Sequence, residues 1–352
     1  TNTVYLRYDF LSYPMNPLDL PGHYRRYDTS QLLQSIESLG LQCRQAWDDV
    51  RSMRIPRNYR IVRNICISGM GGSALGGHVI DALCSLHGTR LRVPLKVVNS
   101  YILPHFVGTQ TLCLISSYSG STEETVAAFH EARRRRAKII VICAGGTLAA
   151  LARRYRIPAY VFDPRFNPCK QPRMGLGYSI VGQLGILKRC GLLVLSDQEI
   201  DAAIRTIVGL HRRYGMRVLA TRNEAKKIAV RLHGRIPVIV AADHLSGNAH
   251  VIANQINENS KAWAFHEVFP ELNHNAVVGY PFPAETRQRA VAVLLHSASL
   301  HPRTSIRYQV TGDILSKAGI KYKRIEATGK SPLAQMIGLV LLGDYVSYYL
   351  AM

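Results

Sequence analysis

The 352-residue sequence has no CxxC pair among its seven cysteines, and four of these cysteines lie within apolar runs. Cysteines in such runs typically act as small buried hydrophobic side chains, which argues against structural disulfides and against a zinc site. The sequence also has no uninterrupted apolar run of about 18 residues, and residues 1–16 lack the basic and then apolar layout of a secretory signal. We therefore expect a cytoplasmic protein that does not engage a membrane.

Acidic residues are scarce. The sequence has 23 aspartates and glutamates and 44 lysines and arginines, which gives a formal net charge of +21. Such a charge suits nucleic acid, an anionic surface or an anionic substrate as partner. The basic residues are spread along the chain, and the one dense block, residues 133–136, stands where a predicted helix ends. Since cations there complement the helix dipole, we interpret the block as a solvated helix end rather than a nucleic-acid surface.

Two glycine- and serine-rich turns, GMGGSALGG at residues 69–77 and SSYSGSTEET at residues 116–125, each follow a short apolar run. A helical pattern follows each turn, which is how a parallel α/β sheet presents backbone N–H groups to an anion. The first turn is neither GxGxxG nor GxxxxGK[ST], so neither a dinucleotide nor a nucleoside triphosphate is indicated. Its glycines permit close backbone approach, and Ser73 opens the next helix.

The second turn offers three hydroxyls, from Ser117, Ser119 and Thr122, beside free N-terminal amides of a helix. Ser121 and Glu124 have capping-box spacing, which predicts a helix that begins at about residue 122. Alone, this turn could be an ordinary capped connection between strand and helix. With both turns present, we favour a small phosphorylated ligand.

Strand-like apolar runs alternate with helical patterns from residue 64 to residue 163, which predicts a doubly wound parallel sheet of five strands. Two helices, at residues 171–190 and 197–214, are expected to bridge to a second α/β half, which a mostly apolar helix closes. The fold class is therefore α/β, with two doubly wound domains, each a mainly parallel sheet flanked by helices. The predicted segments are a helical extension at 1–56, a phosphate-binding domain at 57–196 and a second domain at 197–352.

Residues 254–279 are dense in groups able to move protons, namely Glu258, Lys261, His266, Glu267, Glu271 and His274. A carboxylate with a histidine suits an aldose–ketose isomerisation, in which one group shuttles a proton between adjacent carbons and the other opens the sugar ring. By position alone, any single one of them is more typical of a surface or helix-end residue, whereas the cluster as a unit favours a functional loop. Arg173, at the predicted first turn of a mainly apolar helix, is either a solvent-facing cap or an anchor for negative charge.

Five segments, in this order, resemble the bifunctional phosphoglucose/phosphomannose isomerases of the sugar isomerase (SIS) superfamily: GMGGSALGG, SSYSGSTEET, QPRMGLGYS, NQINENSKAWAF and FPELNHNAVVG. The resemblance runs from about residue 65 to residue 351 and implies two SIS-type domains. It also implies a homodimer that needs neither a metal nor an organic cofactor, and no nucleic-acid partner.

The same resemblance assigns roles to individual residues. The substrate phosphate would be held by Gly71, Gly72, Ser73, Ser117, Ser119 and Thr122. Glu258 would be the base, and Arg173 would stabilise the enediolate, a charge that develops only near the transition state. His274, from the neighbouring subunit, would assist ring opening.

Three features depart from the family pattern. Ser121 replaces an asparagine, Ala276 replaces an acidic residue, and the sequence ends where relatives continue into a helix with an active-site lysine, a motif that Lys330 does not match. The expected activity is interconversion of glucose 6-phosphate and fructose 6-phosphate, with mannose 6-phosphate as a further substrate. The alternative is a non-catalytic sugar-phosphate sensor. A nucleic-acid regulator is disfavoured because the first 60 residues show no convincing helix-turn-helix.

Overall fold

The computed structural model describes residues 16–85 and 90–352. Its helices are α1 Pro21–Tyr27, α2 Leu32–Glu37, α3 Leu39–Arg51, α4 Gly72–Ser85, α5 Glu123–Arg134, α6 Gly146–Arg154, α7 Leu176–Arg189, α8 Asp197–Tyr214, α9 Glu224–Leu232, α10 Ser246–Gln255, α11 Leu272–Asn275, α12 Thr286–Arg289, α13 Pro302–Lys317 and α14 Pro332–Ala351. Its strands are β1 Asn64–Ser68, β2 Leu95–Val98, β3 Thr111–Ser116, β4 Lys138–Cys143, β5 Ala159–Val161, β6 Ile236–Ala242, β7 Phe265–Phe269, β8 Ala290–His296 and β9 Lys321–Glu326. The N-terminal 15 residues, and residue 86 at the end of one predicted helix, lie outside the described residues.

The first sheet confirms the predicted doubly wound arrangement. Its strand order is β2-β1-β3-β4-β5, and every pair is parallel. The apolar runs of β1, β3 and β4 are buried on both faces, as expected for strands covered by helices on either side. Because β1 and β3 are neighbours, the turns that follow them lie side by side at the carboxyl edge of the sheet.

The second sheet has the order β7-β6-β8-β9, again with every pair parallel. The sequence patterns at residues 236–244, 290–297 and 322–329 predict three of its strands, whereas residues 254–279, which contain β7, are predicted to be a loop. The reason is burial: β7 is an edge strand whose first three residues are exposed, so it carries no buried apolar run.

Helices α7 and α14 hold the two sheets to one apolar core. Buried side chains from β1, β3 and β4 join those from β6 and β8 in a single cluster that includes both helices. Helix α14 is long and apolar enough to span a membrane by length and composition, yet 94% of its apolar window is buried inside the protein, as in a core helix. The predicted segment boundaries at 56 and 196 stay a prediction.

The basic block at residues 133–136 lies at the end of α5, as predicted. Arg133 stacks on the Tyr155 ring at 3.7 Å, and Arg135 pairs with Glu131. All seven cysteines are free, and six of them are buried.

Candidate active site

The two glycine- and serine-rich turns are joined directly. The Tyr118 backbone N–H donates to Ser73 Oγ at 2.8 Å, so the Ser73 hydroxyl ties the first turn to the second. Gly72 lies against the segment that carries Arg173, since a Cβ at Gly72 would come within 2.9 Å of Arg173 Cα. Three of the segments singled out in the sequence therefore meet at the carboxyl edge of the first sheet.

Free backbone amides point from these turns, as expected at helix N-termini. In the described residues, the N–H groups of Gly71, Gly72, Ser119 and Thr122 have no acceptor. Helices α4 and α5, of 14 and 12 residues, begin at these amides and place the positive ends of their dipoles there. The arrangement can receive a doubly charged phosphate monoester.

The loop hydroxyls differ in availability. Ser117 is buried, and its Oγ accepts from the Gly120 N–H at 3.1 Å and bonds Thr122 Oγ1 at 2.8 Å, whereas Ser119 is exposed. The predicted capping box is wrong: Thr122 is the N-cap of α5 without a side-chain cap, and Ser121 Oγ instead accepts from the Thr147 N–H at 3.4 Å. The box fails because Thr122, and not Ser121, stands at the N-cap, so Ser121 and Glu124 do not hold the positions that a capping box requires.

Arg173 lies on a 3-10 turn, Pro172–Met174, ahead of α7, so its predicted place in the first turn of the long helix is wrong. Its Nη1 lies 3.5 Å from Glu258 Oε2 and donates to Gln171 Oε1 at 3.0 Å. Its Nε donates to Asn259 Oδ1 at 2.6 Å. The Arg173 side chain is only 16% exposed, which makes its charge effective toward a bound anion.

Glu258 lies in a π-helical turn, Ile256–Ser260, that widens the end of α10. Such turns are rare and frequent at functional sites. The turn ends at Lys261, which adopts the left-handed conformation and donates from Nζ to the Glu258 carbonyl at 2.6 Å. The Glu258 side chain is 43% exposed, so its carboxylate is accessible from solvent while Arg173 beside it is largely buried.

His274 is not part of this group within the chain. It lies exposed on α11, and in the described residues no hydrogen bond or ion pair joins its side chain to Arg173 or Glu258. His266 belongs to a different cluster, since its ring stacks on His250 at a centroid distance of 4.4 Å. Within one chain, the structure therefore brings Arg173 and Glu258 together, whereas His274 lies apart from them.

The stacked histidines are held neutral rather than poised for proton transfer. Burial, with repulsion from His78 and His266, lowers the pKa of His250 to about 4. Burial also lowers the pKa of His78 and of His266 below the usual histidine range. Among the described residues, no group of three or more His, Cys, Asp or Glu side chains is placed to hold a metal ion.

Sequence reasoning missed three residues that hold Arg173 and its partners: Gln171, Asn259 and Ser347. The first two stand beside predicted residues, in QPR and NEN, and that adjacency was the only available signal. Ser347 lies in an apolar helix, and nothing in its sequence surroundings marks it.

Comparison with known proteins identifies the family of this chain. Residues 221–352 match the family model of the bacterial phospho-glucose isomerase C-terminal SIS domain. The chain is 34% identical to a bifunctional phosphoglucose/phosphomannose isomerase of Caldicellulosiruptor bescii over 324 residues, which are 91% of this chain and 93% of the relative. It is 32% identical to the enzyme of the same name from Aquifex aeolicus, over 87% of this chain and 88% of the relative.

Among solved structures, a glucose-6-phosphate isomerase like protein from Thermus thermophilus superposes with a TM-score of 0.57 at 16% identity, covering 96% of this chain and 95% of that one. That likeness shows the shared two-sheet fold. The sequence identity, extending over nearly the full length of the relatives, shows more: the chain belongs to the bifunctional phosphoglucose/phosphomannose isomerase family of the SIS superfamily.

Proposed function

We propose that this protein is an aldose–ketose isomerase that interconverts glucose 6-phosphate and fructose 6-phosphate, and also accepts mannose 6-phosphate. The observation that carries the proposal is the Arg173–Glu258 pair, whose Nη1 and Oε2 atoms lie 3.5 Å apart beside the free amides of two helices. A phosphate anchor, a carboxylate and a shielded cation are the groups that such a reaction requires. Family membership supports the same assignment.

The amide groups of the two turns hold the phosphate. The donors are four amides that have no acceptor among the described residues, at Gly71, Gly72, Ser119 and Thr122, and the exposed Ser119 hydroxyl adds one more. Ser73 and Ser117 contribute by fixing the turns, because their hydroxyls are engaged within the protein. Anchoring the phosphate places the opposite end of the sugar at Glu258 and Arg173, which makes proton transfer effectively intramolecular.

Glu258 then moves the proton. Its carboxylate removes the proton from the carbon next to the carbonyl, and the C–H electron pair becomes the double bond of a cis-enediolate. The same proton returns to the neighbouring carbon while the hydroxyl proton moves from O2 to O1, which converts the aldose to the ketose. Arg173 stabilises the oxygen that carries the negative charge in between, where a preorganised cation has its largest effect.

His274 completes the site from a second subunit in this proposal. Its exposed position on α11, away from Glu258, leaves it free to reach a neighbouring copy. In a homodimer it would donate a proton to the ring oxygen and take it back on closure. A cytoplasmic location stays a prediction from the sequence.

The test is a Glu258→Gln variant assayed with each of the three sugar phosphates. We expect kcat to fall by at least about 100-fold, the range for loss of a general base, with KM little changed. Glu267→Gln, which alters an exposed carboxylate of the same segment on β7, is the matched control and should keep normal turnover. Normal turnover by Glu258→Gln would remove Glu258 as the base, and a wild type that binds these phosphates without turning them over would support a sensor instead.

A further inference from the structure

Asn259 lies between Arg173 and the buried helix α14 and bonds to both. It is 9% exposed, its Oδ1 accepts from Arg173 Nε at 2.6 Å, and its Nδ2 donates to Ser347 Oγ at 3.0 Å. Ser347 is fully buried, and its own hydroxyl donates to the Asp344 carbonyl at 3.0 Å. A chain of three hydrogen bonds thus runs from the candidate site into the core.

The direction of every bond in this chain is determined by chemistry. Arg173 Nε can only donate, so the oxygen of the Asn259 amide must face it. The amide nitrogen must then face Ser347, whose proton is already directed to a backbone carbonyl, so its oxygen is free to accept. Rotating the Asn259 amide by half a turn would set two donors against each other, which costs about as much as leaving a buried polar group unpaired.

This chain fixes the plane of the Arg173 guanidinium. Asn259 holds the Nε side, while Gln171 and Glu258 hold Nη1. In the described residues Nη2 has no protein acceptor, so a rigid, planar group presents its Nη2 hydrogens in one fixed direction.

We propose that Asn259 and Ser347 are positioning residues of the isomerase: they hold the Arg173 guanidinium so that Nη2 meets the enediolate oxygen. The inference rests on the proposed function, in which Arg173 stabilises that oxygen. Anchoring in α14 matters because that helix is buried and packs on α8, α9 and α10, which gives the chain of hydrogen bonds a fixed end in the core. Binding of the ground-state sugar depends on the phosphate turns and is independent of this chain.

The experiment compares Ser347→Ala and Asn259→Leu with Ser260→Ala. Ser260 is a matched control, because its hydroxyl joins the same π-helical turn to the same helix, donating to the Ser347 carbonyl at 2.7 Å, but lies off the path to Arg173. Two ligands are titrated with each protein: an aldonate phosphate one carbon shorter than the substrate, whose carboxylate imitates the enediolate, and a 1,5-anhydrohexitol 6-phosphate, which has no carbonyl to enolise. Thermal unfolding of all variants checks that they fold.

We expect Asn259→Leu to lower kcat by roughly 10- to 100-fold and Ser347→Ala by roughly 10-fold, the scale of a sub-ångström misplacement. KM and the affinity for the anhydrohexitol phosphate should stay within about twofold, while affinity for the aldonate phosphate falls in parallel with kcat. Ser260→Ala should keep wild-type values for both ligands.

Equal effects of Ser347→Ala and Ser260→Ala, or parallel losses for both ligands, would overturn the positioning role, because either result describes a general loosening of the turn. The proposed function fails separately: if the wild type turns over none of the three sugar phosphates, the isomerase assignment is wrong whatever the variants do.

Discussion

Replacing Gly72 with alanine tests how closely the first turn supports Arg173. A Cβ there would lie 2.9 Å from Arg173 Cα, 3.0 Å from Arg173 N and 3.0 Å from the Pro172 carbonyl carbon. Carbon atoms in good contact are separated by about 3.5 Å or more, so the 3-10 turn must move by roughly 0.6 Å. All three neighbours are backbone atoms, and the movement therefore displaces Arg173 itself.

This displacement should cost both stability and rate. Overpacking of this kind costs about 1–3 kcal/mol of unfolding free energy. A shift of 1 Å at a reacting group can cost about 100-fold in rate, so a smaller shift of Arg173 should lower kcat by roughly 10-fold. A coupled assay of fructose 6-phosphate formation measures kcat, and urea unfolding measures the free energy.

Gly209→Ala is the control, because Gly209 is exposed in the middle of α8 and an added Cβ meets nothing within 4 Å. That substitution should leave kcat unchanged and raise stability by up to about 1 kcal/mol, the helix propensity difference. Wild-type kcat and an unchanged unfolding free energy for Gly72→Ala would refute the reasoning.

Three further predictions concern the core, the pH response and the phosphate turn. Lys226→Met should lower the unfolding free energy by about 3–5 kcal/mol, because it removes the charged partner of the Asp19 carboxylate. In the structure Asp19 lies 3.0 Å from Nζ of Lys226, whose side chain is fully buried. A loss below about 1 kcal/mol, measured by urea unfolding, would contradict this prediction. The pKa of His250 is lowered to about 4 in the folded protein, so at pH values between about 4 and 6.5 the unfolded chain binds more protons than the folded one. The contribution of neutral His250 to the free energy of unfolding is therefore fully present above about pH 6.5 and is lost as the pH falls toward 4. His250→Gln should make that fall shallower, and an identical pH profile of urea midpoints would exclude His250 as its source. Ser119→Ala should raise KM for the sugar phosphate several-fold with normal stability. Ser117→Ala should mainly lower stability, by about 0.5–1.5 kcal/mol, because it removes the hydroxyl that bonds Thr122 Oγ1, while the Gly120 N–H keeps the Ser117 carbonyl as acceptor; the reverse pattern would exchange the two roles.

The sequence predicted the first sheet well because β1, β3 and β4 are buried on both faces and their sequences are apolar runs. Helix α8 was predicted residue for residue from its amphipathic pattern and its acidic first turn, and the structure shows a capping box of Ser196 and Glu199 at its start. Strand β7 escaped notice because an exposed edge strand needs no apolar run. The capping-box prediction failed at Ser121 because Thr122 is the N-cap of α5 and Ser121 Oγ accepts from the Thr147 N–H instead.

The candidate site was predictable as a set of residues but not as a geometry. Motifs identified Arg173 and Glu258, yet nothing in either segment states that their side chains meet. The π-helical turn that places Glu258 packs against α14. This is a tertiary contact, which the hydrophobic periodicity of the sequence does not predict. For the same reason Ser347, one polar residue in an apolar helix, gave no sequence signal.

The single apolar core that unites both sheets has a thermodynamic consequence. Because α7 and α14 contribute to one cluster with strands of both sheets, neither sheet can open without exposing the interior face of the other. Binding of a phosphate to the amides of α4 and α5 should therefore stabilise both sheets together against unfolding. When phosphate binds, the slowest-exchanging amides of β6 and β8, which are remote from it, should gain as much protection from hydrogen exchange as those of β1 and β3.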